Sequence, residues 1–202
     1  MMTLLIIAVT VIVSFISFKN YALLDRLMFW TYAVKKKHQY DRFVTHGFVH
    51  ADTTHLLFNM ITLFFFGQFA EREVASHIGE FGFLLFYLSA IVVAMIPTYL
   101  RYGNDMNYRS LGASGAVSAT TMMFAFVNPW KLIFVFFIPV PAIVYALLFV
   151  GYSIWKDRTG GDNTNHNAHL SGAIYGVLFL FALDPAIVGE FMGKLMRLPF
   201  SP

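Results

Sequence analysis

Ser114 lies in Gly112-Ala113-Ser114-Gly115, where a polar loop gives way to an apolar run. Gly112 and Gly115 let other backbone come close, and the unpaired N–H groups of a helix start favour developing negative charge. A serine there has its hydroxyl beside ready-made donors for an oxyanion. Alone, Gly-x-Ser-Gly is weak, because Gly and Ser also serve as packing residues in membrane helices. A second element strengthens it. Ala168-His169-Leu170-Ser171-Gly172 opens another apolar run, with Gly176 four residues beyond Gly172. Small residues at that spacing bring helix backbones together, and Gly115 and Ala119 offer a matching surface. A general base must come within hydrogen-bonding reach of its serine, so this pairing of faces makes His169 the candidate base. An ionisable residue inside a membrane helix is functional by default. His166 is a weaker candidate, expected in the preceding loop. Neither run contains Asp or Glu, so the residues read as a Ser–His dyad.

His55 and Asn59 are four apart and share one helix face. Both donate hydrogen bonds, and together they can complete an oxyanion hole. His46 and His50 have the same spacing, which raises a metal site as a rival. A His-Glu-x-x-His metalloprotease needs a glutamate beside its histidine, and here Ala51 follows His50 and Leu56 follows His55. No metal and no cofactor are expected.

These residues need elements to hold them. The chain has 202 residues, 58% apolar and 12% charged, with a mean hydropathy of +0.64. A soluble domain carries about a quarter charged residues, so the excess fits a surface that meets lipid. The net charge of +3 comes from a few loop clusters, which suit a membrane surface better than nucleic acid. With no cysteine, disulfides, thiolate zinc sites and a cysteine nucleophile are excluded. Met-Met-Thr at the start lacks a positive region, so no cleavable signal peptide is expected.

Six runs approach the roughly 20 residues that span a bilayer as a helix: Leu4–Phe18, His50–Phe69, Phe81–Tyr99, Ser114–Val127, Leu132–Trp155 and Ala168–Leu183. Trp30, Trp130 and Trp155 sit near run ends, where interface anchors belong. Tyr21–Tyr32 reads as an interfacial amphipathic helix. From Ser114 to Pro129 a helix reaches only about 21 Å, so the loop 101–112 must dip into the membrane, where irregular backbone survives only beside protein or water. The sixth run is similarly short. With three crossings from the fourth run through the sixth, Ser114 and His169 start on one side, at comparable depth, in a water-accessible cavity. No repeat or linker divides the chain, so one domain over 1–202 is expected.

Taken together, His46-x3-His50-x4-His55-x3-Asn59, Glu71-Arg72, Gly112-x-Ser114-Gly115 and Ala168-His169-x2-Gly172-x3-Gly176 closely resemble the rhomboid family of intramembrane serine proteases. The resembling stretch covers about 42–176. The resemblance implies an all-α membrane fold of six transmembrane helices around a water-accessible active-site cavity. It implies cleavage of other proteins' transmembrane segments, with the lipid bilayer and membrane-protein substrates as partners and no nucleic acid. It makes Ser114 the nucleophile and His169 the base, with His55, Asn59 and the Ser114 backbone N–H as the oxyanion hole and Gly112 shaping its loop. Glu71 and Arg72 would be structural. The fifth helix would border the substrate entrance, loosened by Pro139 and Pro141. A bacterial inner membrane, with the site open to the extracytoplasmic side, is the implied location. That side also holds Lys19, Arg26, Lys35, Lys36, Lys37, Arg42, Arg101 and Arg109, against the positive-inside trend. The chain departs from many relatives at Asp41-Arg42, where they have Trp-Arg, and at Ser118, where they have a tyrosine under the catalytic histidine. A transporter or channel, or a rhomboid-like pseudoenzyme that only binds membrane segments, are the alternatives. Intact Ser114 and His169 argue against the pseudoenzyme.

Overall fold

In soluble helices the apolar face turns inward; the first helix here does the reverse. The computed structural model describes residues 1–135 and 137–197. Its helix α1 (Met2–Lys19) buries Thr3, Ile6, Thr10, Ser14 and Ser17 and exposes Leu4, Leu5, Ile12, Phe15 and Ile16. Small polar residues at spacings of three and four line the inner face, as suits a helix whose outer face meets lipid. Its first turn is capped by Glu71, which accepts from the amides of Met2 at 2.6 Å and Thr3 at 2.9 Å and from the Thr3 hydroxyl at 2.7 Å.

The segment after α1 is more broken than the single interfacial helix expected over Tyr21–Tyr32. It forms α2 (Tyr21–Leu27), a short strand β1 (Phe29–Trp30), α3 (Thr31–Lys37) and α4 (Arg42–Thr45). Asn20 caps α2, and the Met28 carbonyl that ends it accepts from buried Arg42 at 2.6 Å. The same guanidinium group reaches the Asp25 carbonyl and Gln39. Arg42 therefore gathers the whole segment, while Asp41 pairs with Arg26 at 2.7 Å.

A long helical rod follows, running past the expected end at Phe69. It comprises α5 (Thr53–Thr62), a π-helical turn (Leu63–Gly67) and α6 (Gln68–Ile78). Asp52 starts it by accepting from the His55 amide at 2.8 Å. Next come α7 (Gly82–Tyr102), a second short strand β2 (Arg109–Ser110) paired antiparallel to β1, and α8 (Ser114–Val127). Helix α8 is the centre of the bundle, buried along most of its length.

The fifth run is not one helix. Leu132–Val135 (β3) and Ile138–Pro141 (β4) form an antiparallel hairpin, and α9 begins only at Ala142 and runs to Thr159. Pro139 and Pro141 lack amide hydrogens and hold their predecessors extended, so they precede α9 instead of loosening it. The chain closes with α10 (His166–Leu183) and an unanticipated α11 (Ile187–Met196). The Lys194 ammonium of α11 donates to the Val127 carbonyl at 3.0 Å, placing a cation on the negative end of α8. Among the described residues, three helices, α1, α7 and α10, are long and apolar enough to cross a membrane.

Candidate active site

Helices α8 and α10 meet where neither has side chains. A Cβ on Gly172 would lie 2.0 Å from the Gly115 carbonyl oxygen, and one on Gly176 would lie 2.3 Å from that of Ala119. Behind this contact Ala94 of α7 closes on Gly115, 2.6 Å from where its Cβ would be. Such proximity brings the first turns together: His169 Nε2 is 2.7 Å from Ser114 Oγ.

Asn165 registers the α10 side. It caps the helix by accepting from the Ala168 amide at 3.0 Å, accepts from buried Thr98 of α7 at 3.1 Å, and donates to Ser110 of β2 at 3.3 Å. The sequence reading passed over it, although an Asn immediately before an apolar helix is an N-cap signal. His166 is not in the loop; it is the first residue of α10, buried, with Nε2 at 3.1 and 3.2 Å from the Asp162 carboxylate. That hydrogen bond holds the Asp162 carboxyl below its usual range.

The α8 side is held through its preceding loop. Gly112 has φ +115°, a conformation that side chains rarely adopt, and a Cβ there would meet His55 Cε1 at 2.7 Å. Its amide donates to the His46 carbonyl at 2.9 Å, and the Ala113 amide points at His50 Nε2 at 3.4 Å. With Nε2 accepting, the proton of His50 belongs on Nδ1, which faces Ser14 Oγ of α1 at 3.0 Å. Ser14 in turn donates to the Phe48 carbonyl. His50 thus ties α1 to the loop, while His46 acts through its carbonyl and packs its ring edge-on against Phe29.

Ser114, His169, His55, Asn59 and Gly112 all line one cavity of about 850 Å³. His55 lies against Gly112 and edge-on to His50, with ring centroids 4.9 Å apart. Asn59 is buried and spends one amide hydrogen on the His55 carbonyl at 3.0 Å, which leaves the other. The Ser114 amide, as the first in its helix, has no intrahelical acceptor. These groups share a cavity with a hydroxyl–imidazole pair, and nucleophilic attack on a carbonyl calls for such residue types. The Ser118 hydroxyl turns back to the Ser114 carbonyl at 2.7 Å. Phe149 of α9 instead lies along His169, with centroids 6.1 Å apart and planes inclined by 22°; this ring gave no sequence signal. Glu71 and Arg72 part company, since Glu71 caps α1 and Arg72 is exposed.

The Rhomboid domain family model matches residues 37–185. RHOMBOID-like protein 12, mitochondrial, of Arabidopsis thaliana is 33% identical over 144 residues, covering 64% of this chain and 42% of that protein. Rhomboid-like protein 11, chloroplastic, of the same plant is 32% identical over 159 residues, 71% of this chain and 52% of its own. Rhomboid protease GlpG of Haemophilus influenzae is 29% identical over 145 residues, 69% of this chain and 68% of its own. The chain spans about half the length of the two plant relatives.

Proposed function

The chain belongs to the rhomboid family, and from that premise we propose that it is an intramembrane serine endopeptidase that cleaves transmembrane segments of other membrane proteins. The observation that carries this reading is the 2.7 Å contact between Ser114 Oγ and His169 Nε2. His169 takes the serine proton as Oγ attacks the scissile carbonyl. The Ser114 amide, the His55 ring and the Asn59 amide stabilise the oxyanion. As the peptide bond breaks, His169 passes the proton to the leaving amine, and water then hydrolyses the acyl-enzyme by the same route.

We read the whole chain as one membrane domain of six crossing helices over 1–202, of which residues 136 and 198–202 lie outside those described. We also place it in a bacterial inner membrane with the cavity open to the extracytoplasmic side. Positive-inside counting opposes that orientation, but the segment that carries most of these cations is folded into helices and a strand and is not a plain connecting loop. Here many of the cations are engaged: Arg42 is buried, Arg26 pairs with Asp41, Arg109 with Asp25, Arg101 with Asp157, and Lys35 donates to Asn104.

A fluorophosphonate probe should label the protein, and Ser114→Ala should abolish labelling. Cleavage of a co-reconstituted single-span substrate should vanish in the same variant. Intact protein that takes no label and cleaves nothing would fit a pseudoenzyme and overturn the proposal.

A further inference from the structure

Among the described residues, the His169 side chain hydrogen-bonds Ser114 alone. No carboxylate orients its ring, and Ser118, one turn below Ser114, spends its hydroxyl on the Ser114 carbonyl. What holds the imidazole plane must therefore be packing. Two rings touch it. His166, anchored by Asp162, meets it nearly edge-on, at 5.8 Å and 76°. Phe149 lies nearly parallel to it, at 6.1 Å and 22°. Tyr145, one turn earlier on α9, stacks on Phe149 in turn, at 5.9 Å and 26°. The neighbours Leu147 and Leu148 are 68% and 66% exposed, whereas Phe149 turns into the cavity wall.

We propose that Phe149 is a positioning residue for His169, doing from α9 what no group on α8 does. Its ring face keeps the imidazole plane aligned so that Nε2 addresses Ser114. When the serine proton moves to Nε2, the imidazolium forms beside an aromatic ring whose π-system attracts cations. The ring forms no bond and exchanges no proton. Because it belongs to α9 and the base to α10, the alignment of the base depends on how α9 is seated. The inference rests on the proposed Ser114–His169 chemistry.

The alternative is that Phe149 is only cavity wall, and ring chemistry separates the two. In detergent-purified full-length protein, Phe149→Leu and Phe149→Met remove the ring and keep apolar volume, while Phe149→Tyr keeps the ring. The readouts are the maximal rate of fluorophosphonate labelling at Ser114, the half-saturating probe concentration, and thermal stability. Both ringless variants should lower the maximal rate by about 3- to 30-fold with half-saturation and Tm unchanged, and Phe149→Tyr should stay within about twofold. Wild-type or faster labelling in the ringless variants would overturn the inference. So would an equal fall in all three variants, or a change confined to half-saturation or Tm. Failure of the wild-type protein to label would instead sink the hydrolytic reading itself, which the first measurement distinguishes.

Discussion

Gly172 of α10 sits against the carbonyl of Gly115 of α8 with room for nothing larger than hydrogen. The separation of Ser114 and His169 is thus set by backbone meeting backbone, within a turn of both residues. Gly172→Ala should force the helices apart, costing about 1–3 kcal/mol or more in stability and abolishing probe labelling. Gly189→Ala, inside α11 at a position with nothing within 4 Å, should leave labelling unchanged and should not destabilise the protein. Thermal unfolding in detergent and labelling of both variants check this, and an active, stable Gly172→Ala protein would contradict the contact.

Gly112→Ala tests the loop rather than the bundle. Its φ of +115° and the His55 ring at 2.7 Å from an added Cβ make the substitution strained on two counts. Strain of this kind costs about 1–3 kcal/mol and displaces the ring next to the nucleophile. We expect a folded protein with much slower labelling; labelling at the wild-type rate would show that the loop takes the added methyl without disturbing the site.

Alanine variants should fall into two groups. Ser114→Ala and His169→Ala remove the nucleophile or its activation and should lose essentially all turnover. His55→Ala and Asn59→Ala each remove an oxyanion donor, a loss of about 10²–10³ in rate, and should remain folded and slow. His50→Ala should lose stability as well, because its ring joins Ser14 to Ala113. If His55→Ala and Asn59→Ala cleave at the wild-type rate, the donors lie elsewhere.

Much of this site was legible because polar residues in apolar runs have few other uses. Ser114 and His169 stood out against lipid-facing sequence, and Gly115, Ala119, Gly172 and Gly176 announced a close contact by their size. The hairpin was not legible, because an apolar run such as Leu132–Trp155 has no periodicity to separate strand from helix. Only the X-Pro constraints at Pro139 and Pro141 mark the boundary, and prolines within an apolar run are equally compatible with a loosened helix. Phe149 was invisible for a different reason: an aromatic facing lipid and one facing an imidazole have the same sequence signature. Asn165 was available to capping rules and was overlooked.

Glu71 supplies a pH test away from the cavity. Burial pushes its carboxyl up, but hydrogen bonds from the Met1 amino group, the Thr3 hydroxyl and the Thr3 and Met2 amides more than reverse this, to about 2 from an ordinary 4.5. A depressed carboxyl stabilises the fold fully above its ordinary pKa and loses that contribution as pH falls through its folded value. Glu71→Gln should therefore be less stable by about 1–3 kcal/mol near neutrality. The difference from wild type should narrow only between pH 4.5 and about 2. Melting curves across that range check it; a gap that opens on acidification would refute the cap.

Orientation can be read by cysteine labelling, since the chain has no native cysteine. Exposed Lys36 lies in the segment after α1, and exposed Lys131 leads into the hairpin after α8, at the opposite end of the bundle. Lys36→Cys should react with an impermeant maleimide in intact cells, and Lys131→Cys only after permeabilisation. The converse pattern would invert the proposed topology.

The inward stripe of α1 has a consequence for how the protein is made. A hydroxyl-bearing helix entering lipid ahead of its partners must satisfy those hydroxyls itself. Thr10 donates to the Ile6 carbonyl at 2.7 Å and Ser17 to the Ser14 carbonyl at 2.8 Å, so those two need no segment that follows α1. Thr3 and Ser14 find their partners, Glu71 and His50, only on the second helical rod and its approach. The first helix thus satisfies two of these hydroxyls on insertion and keeps two polar latches in reserve, which close when the next helical rod of the nascent chain arrives.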